Sequence, residues 1–412
     1  MEKSASGYPA ELAGLVRSGE RPHTLQLRFP ALPDCWEEAW QMSLESSVEL
    51  ARVLLPYWND HGIEGRWIQQ LVFPPCGSLI EEVCSEACMA FLEHCFVAGR
   101  LQRKSWRVQV VTGRGELQAW PEASNFLCWS GPVPHEQLLR RACEIEQGRT
   151  QSDACWTPAG KRAVISGAGS GIGRALARVA AERGMRLVLV DIHPDDVKET
   201  LSLLGAKAEA VVMDVSQRHG WRLLARRLGP VDLLINNAGV GAGASPWETS
   251  EHDWTWVSGV NFWGGLYGLE ELRPERSLQV TSTAGYYAYY PSVAYQVSKR
   301  ALTQLTLSRQ QRGLPSAVLA PGSVNTRILT AARNRPRELQ QAWTPPPRHV
   351  RLLRQALSQG MDPLEVAEIA FAGLEAGEVE IFTHPELRPW CAERWFDLAQ
   401  GQDPRNTVRW RG

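Results

Sequence analysis

The sequence has little net charge. Its 44 Lys and Arg against 45 Asp and Glu leave −1 over 412 residues. So even a balance argues against a general polyanion-binding surface, and a nucleic-acid partner is not expected. Long apolar runs are missing too: no stretch approaches the roughly 20 apolar residues that span a bilayer. Met1 to Glu20 carries charges and no apolar segment of the kind that directs secretion. A cytoplasmic protein without a transmembrane segment is the expectation. There is also no Cys-x-x-Cys pair and no Cys/His group at finger-like spacing, so no metal site is expected.

What is present is unevenly spread. Eight of nine cysteines lie in the first 155 residues, with Cys391 alone beyond them. Cys84 and Cys88 are four apart in a helical pattern, and Cys95 falls near the same face two turns on. Core packing is the plain reading for them; redox-sensitive thiols and a metal site are the alternatives. The 17 Trp are scattered rather than confined to one amphipathic face, and read as packing residues. A chain this long fits two units. The polar, then Pro/Gly-bearing stretch from Gln147 to Lys161 divides it into residues 1–155 and 156–412.

After this divide, short apolar runs alternate with helical patterns. Strands are expected near Leu187 to Val190, Ala210 to Met213, Val231 to Ile235, Leu278 to Thr281 and Ala317 to Leu319. Helices are expected near Trp221 to Leu228 and Ser298 to Arg309. Such alternation predicts an α/β fold, a Rossmann-type doubly wound parallel sheet with helices on both faces. In front of it lies a smaller α/β or mainly helical domain. There, Trp36 to Trp58 and Leu79 to Val97 have helical spacing, and Trp106 to Val111 reads as a strand.

Gly167, Gly171 and Gly173 sit where the first strand of the second unit hands over to a helix beginning near Ile172. Glycines there permit the tight turn and let backbone approach a pyrophosphate, which the helix N-terminus attracts. Asp191 closes the next strand, 18 residues after Gly173. A carboxylate at that place binds adenosine ribose hydroxyls and repels a 2'-phosphate, and Ser170 supplies no positive charge. NAD is therefore favoured over NADP. The alternative for Asp191 is a simple helix-cap or turn residue.

Tyr295 and Lys299 are four residues apart, hence on one helix face about a turn apart. A phenol is a sluggish base at neutral pH, and a neighbouring ammonium favours the phenolate. Ser282, 13 residues upstream and just after a strand, has a hydroxyl able to hold a substrate oxygen. The combination fits hydride transfer between an alcohol and a carbonyl.

These residues resemble the classical short-chain dehydrogenase/reductase family, from about Lys161 to Phe396. The resemblance adds Asp214 and Val215 in MDV as adenine contacts, and Asn236, Asn237, Ala238 and Gly239 as the family's Asn-Asn-Ala-Gly motif. It implies a catalytic tetrad of Asn261, Ser282, Tyr295 and Lys299. Pro321, Gly322, Val324 and Thr326 in PGSVNT match the segment that closes over the nicotinamide, and EIFTHPEL resembles a C-terminal signature of one group in the family. By this resemblance Tyr295 is the general acid or base, and Lys299 binds the nicotinamide ribose and lowers the phenol's pKa. Ser282 positions the substrate oxygen, Asn261 holds a water linking Lys299 to solvent, and Thr326 with the backbone at Val324 contacts the carboxamide.

The chain departs from the pattern in two intervals. Asn261 to Ser282 spans 21 residues and Lys299 to Pro321 spans 22, both short for the family. A helix from Phe262 to Leu272 would run about 16 Å, matched by a returning strand of five residues, so the crossover is tight but feasible. Since the two helices concerned normally build the family's dimer interface, their shortening predicts a weakened or otherwise covered interface. It also leaves a second reading open: a catalytically impaired dinucleotide-binding scaffold or sensor with a protein-interaction front domain.

The front unit has a fainter resemblance to the same family. Trp36 to Trp58 matches the run around the catalytic Asn, with Ser43 at the Asn position. Arg66 to Phe73 and Ser78 to Phe96 match the next strand and helix, and Trp106 to Gly115 the strand after them, with Thr112 in place of Pro. There is no Tyr-x-x-x-Lys and no glycine loop there. A degenerate copy packed as an internal pseudo-dimer is one expectation; an unrelated partner-binding or cleft-covering domain is the other, and a homo-oligomer remains open. For substrate, the loops Gly241 to Trp247, Ala284 to Tyr290 and Ile328 to Gln355 are candidates. Tyr286, Tyr287, Tyr289 and Tyr290 are read as an aromatic wall for an apolar or aromatic alcohol or ketone, and Arg333 to Arg354 as a mobile, basic lid.

Overall fold

In the computed structural model, the described residues are 35–60, 78–101, 135–147 and 156–400, without 206–207, 242–244, 288–291 and 340–346, together with five short strands nearer the N-terminus. Those strands are β1 (Glu2–Lys3), β2 (Thr24–Leu27), β3 (Arg66–Leu71), β4 (Arg107–Thr112) and β5 (Leu127–Ser130). They form one sheet in the order β1-β2-β3-β4-β5, every pair parallel. The helices among them are α1 (Trp36–Trp40), which runs through a π turn (Gln41–Glu45) into α2 (Ser46–Asp60), then α3 (Leu79–Leu101) and α4 (His135–Gln147).

The second sheet follows from Arg162. Its strands are β6 (Arg162–Ser166), β7 (Arg186–Asp191), β8 (Ala208–Val212), β9 (Leu233–Asn236), β10 (Arg276–Val280), β11 (Ser316–Ala320) and β12 (Glu380–Phe382). They lie in the order β8-β7-β6-β9-β10-β11-β12, again all parallel. The order reverses direction at β6, and a ligand crevice is expected outside the carboxyl ends of the strands there. Strands β6, β9 and β11 are almost wholly buried, as sheets covered on both faces require.

Alternate residues of these strands feed two cores. Ile165, Leu189 and Leu233 pack with α5 (Gly171–Glu182), α6 (Pro194–Leu204) and α12 (Pro363–Glu375). On the other face Val164, Val188 and Leu234 pack with α7 (Arg218–Leu228), α9 (Gly264–Leu272) and α10 (Val293–Gln311). The second core does not stop there. It continues through Phe262, Val297 and Leu305 into Trp40, Leu54, Cys84, Cys88 and Phe91 of the front helices. Cys84, Cys88 and Cys95 are thus core residues, with burial pushing the Cys84 thiol up to about 12.

The helix expected at Phe262 to Leu272 differs in detail. Helix α8 (Glu251–Ser258) enters a π turn (Gly259–Trp263), and α9 begins only at Gly264. Arg273 then turns the chain with a left-handed φ of 45°, and β10 starts three residues later at Arg276. The tight crossover is closed by that one residue rather than by a glycine. Among the described residues no helix is long and apolar enough to cross a membrane.

Candidate active site

Strand β6 delivers Ser166 to the turn before α5. Gly167 and Gly171 there have φ of 64° and 50°, left-handed values that disfavour any residue with a Cβ. At Gly173 a Cβ would fall 2.0 Å from the Gly167 carbonyl oxygen, so no side chain fits. The turn is fixed from the next crossover. Asn237 Nδ2 donates to the carbonyls of Ser166 and Gly167 at 2.9 and 3.0 Å, and the N–H groups of Asn237 and Ala238 donate to Ser166 Oγ. Ser170, at the N-cap of α5, makes no side-chain cap bond, so the first-turn amides of Gly171, Ile172 and Gly173 are left for another acceptor. Asp191, closing β7, takes the N–H of Gly169 at 2.8 Å and of His193 at 3.0 Å. Asp214 after β8 holds Ser216, and buried Val215 accepts the indole N–H of Trp221.

The chemistry-bearing side chains meet one crossover further on. Ser282 follows β10 and its hydroxyl lies beside the phenol of half-buried Tyr295, on the first turn of α10. Loss of water pushes the phenol's pKa up, and the Ser282 bond pulls it partly back. Lys299, one turn along, is 3% exposed; burial lowers its ammonium to about 8. Its Nζ donates to the Val280 carbonyl at 2.9 Å and stands 5.8 Å from the centre of the Tyr295 ring. A phenol lowered by its ammonium neighbour was the expectation. In this structure desolvation wins for both groups: the phenol is raised and the ammonium lowered.

Asn261 sits third in its π turn, fully buried. Its amide donates to Val240 O at 2.9 Å and Ser298 Oγ at 3.0 Å, and its Oδ1 accepts from Val240 N at 2.8 Å. Both Lys299 Nζ and Asn261 Oδ1 would touch a Cβ on Gly239, at 3.3 and 3.5 Å. Gly239 therefore joins Lys299 and Asn261 to the glycine turn, where a Cβ on Gly167 would lie 2.8 Å from Ala238 Cα.

The segment after β11 closes the ring. The Pro321 carbonyl lies 3.5 Å from Ser282 Oγ, and Gly322 N–H points to Thr383 Oγ1 and His384 Nδ1. Thr326 stands 3.2 Å from where Gly171 would carry a Cβ, and Val324 bridges to Met361. Glycine turn, phenol, ammonium and the 321–326 segment thus lie together at the carboxyl ends of β6, β9, β10 and β11. A Cβ-free turn, uncapped helix amides and a carboxylate at the next strand end fit a dinucleotide.

Comparison with known proteins agrees. A family model described as short chain dehydrogenase matches residues 161–337. Over 231 residues the chain is 31% identical to the oxidoreductase UcpA of Escherichia coli K12, covering 51% of this chain and 86% of that protein. It belongs to the short-chain dehydrogenase/reductase family. Over 257 residues it is 27% identical to the CLA biosynthesis dehydrogenase/reductase of Lactiplantibacillus plantarum, covering 56% of this chain and 90% of that one. A solved short-chain dehydrogenase/reductase from Burkholderia phymatum, in complex with NAD, superposes with a TM-score of 0.58 at 32% identity, covering 61% of this chain and 99% of that chain. The protein is an oxidoreductase of the short-chain dehydrogenase/reductase type.

Within this reductase frame some expectations fail. Tyr286 is not part of a substrate wall: it is 2% exposed, its hydroxyl donates to Glu380 at 2.6 Å, and its ring lies against Phe382. Tyr287 is partly buried against the same core, while Tyr289 and Tyr290 fall outside the described residues. The stretch read as a mobile lid is folded in its described parts. Two short 3-10 helices (Ile328–Asn334 and Arg337–Leu339) precede α11 (Pro347–Ser358). Arg335 pairs with buried Asp253 and stacks 4.2 Å over Trp256, and Asn334 meets His193. Two residues were missed. Ser298 orients Asn261, and only a serine one before Lys299 marked it; His384, inside EIFTHPEL, backs Gly322.

Proposed function

We propose that the protein interconverts a secondary alcohol and a ketone with NAD as its dinucleotide. The observation that carries this is the convergence of Ser282, Tyr295 and Lys299, with the Ser282 hydroxyl beside the phenol and Lys299 Nζ 5.8 Å from the ring centre, despite the short crossovers. That contact disfavours the scaffold reading, because the two hydroxyls that would hold one substrate oxygen are already together. When bound, the dinucleotide supplies or accepts hydride at the substrate carbon. Tyr295 gives its phenolic proton to the oxygen in reduction and removes it in oxidation, and Ser282 holds that oxygen in place. Lys299, anchored on Val280, lies between the phenol and the cleft floor at Gly239, and Asn261 keeps that floor in position through Val240 and Ser298.

Asp191 supports NAD, because a carboxylate at the end of β7 repels a 2'-phosphate; the related Burkholderia phymatum protein was solved with NAD. Since Tyr295 is raised by burial, oxidation should gain rate as pH rises, while reduction, which uses the protonated phenol, stays flat through neutrality. Tyr295→Phe should lower turnover about 10²–10⁴-fold while NADH still binds, measured by stopped-flow and fluorescence titration. An unchanged kcat would remove Tyr295 from the chemistry, and NADPH binding as tightly as NADH would remove the cofactor assignment.

A further inference from the structure

The two sheets share one plan. The order β1-β2-β3-β4-β5 repeats β6-β9-β10-β11-β12, all parallel, without counterparts of β7 and β8. The connections repeat as well. An α–π–α run follows β2 and again β9, a long helix follows β3 and β10, and a terminal helix follows β5 and β12. Each π turn has its third residue buried, Ser43 in one and Asn261 in the other.

The equivalent elements also face each other. Helix α3 packs on α10, and α4 packs on α13 (Arg388–Ala399). Trp40, just before the first π turn, stacks at 4.5 Å on Phe262 in the second. Glu82 near the start of α3 meets Ser308 and Arg312 near the end of α10, while His94 further along α3 meets Gln296 near its start. The helices therefore run antiparallel, like meeting like, as across a two-fold axis.

The charges are not symmetric. Glu82, Glu86 and Glu93 lie on α3; opposite them stand Arg312, Arg300 and Arg394. The Glu86–Arg300 and Glu93–Arg394 pairs are almost fully buried. Two catalytic units brought together by this face would set arginine against arginine, with no carboxylate to neutralise it.

We propose that the front segment is a reduced second copy of the same fold, filling within one chain the place of a second subunit. It has lost the chemistry, since α3 carries neither Tyr nor Lys, and it retains the packing. The protein is then a one-chain enzyme with one dinucleotide site, whose α10 is shielded in cis. This inference does not rest on the reaction or cofactor assigned above.

Sedimentation of the full chain over a wide concentration range tests it without any need for turnover. One-chain mass throughout is expected; a stable two-chain species would overturn it. Hydrogen exchange then tests the face itself. Glu86→Arg should strip protection from α10, and Glu86→Arg with Arg300→Glu should return most of it. A double variant no better protected than the single one would overturn the complementary pairing, and the sedimentation result stands even if the single variant fails to fold.

Discussion

Ser43 and Asn261 hold the same place in two π turns, and their surroundings differ. The Ser43 hydroxyl folds back onto the Ala39 carbonyl at 2.7 Å and lies beside the Cys84 thiol of α3. Asn261 reaches across two crossovers, to Val240 and to Ser298 beside Lys299. The helix, the turn and the buried face are shared, but Ser43 meets a packing thiol while Asn261 ties together the segments that carry Val240 and Ser298. What a fold needs for packing and what it needs for chemistry can therefore be separated, residue by residue.

Breaking the contact between the two regions should have the largest effect. Glu93→Ala leaves Arg394, almost fully buried, without its carboxylate. A loss of about 3–5 kcal/mol is expected in urea unfolding, and a loss below 1 kcal/mol would show the pair to be solvated. Next, Asn261→Ser imports the front segment's residue into the working turn. It removes bonds to Val240 and Ser298, with an expected cost of about 1–3 kcal/mol and a fall in kcat larger than any rise in KM. Acid gives a third test. His94 is buried and donates or accepts at Gln296, and burial lowers its pKa to about 4. The unfolded chain, whose histidine titrates near its ordinary 6.5, binds the proton first, so stability falls as pH drops from about 6.5 to 4 and is level above that window. His94→Asn should flatten this slope in thermal melts. The smallest effect is expected at Glu199→Gln. The Arg174–Glu199 pair is solvent-facing on the carboxylate side, and an unfolding midpoint indistinguishable from the parent's should separate it from the buried pairs.

The catalytic sheet was legible because its strands are short apolar runs set apart by glycine turns, and Gly167 to Gly173 and Tyr295 to Lys299 carry fixed spacings. The β12 strand and helices α6 and α12 have no such marks and were not foreseen. Tyr286 misled because a run of tyrosines says nothing about direction: Glu380, nearly a hundred residues away in sequence, turns it inward. The raised phenol was equally hidden, since spacing gives proximity to Lys299 but not the loss of water around both groups. Helices α1 to α3 were read from periodicity. Their partners Phe262, Gln296 and Arg300 could come only from the fold.

The facing of α3 and α10 within one polypeptide has an evolutionary consequence. In an assembly of identical subunits each substitution at a two-fold contact appears on both sides and meets itself. Here each side mutates alone, so glutamates could gather on one helix and arginines opposite without a mirrored clash. Genetic drift in α3 is answerable to α10 and α13 across this face, and its sequence there is free to track theirs.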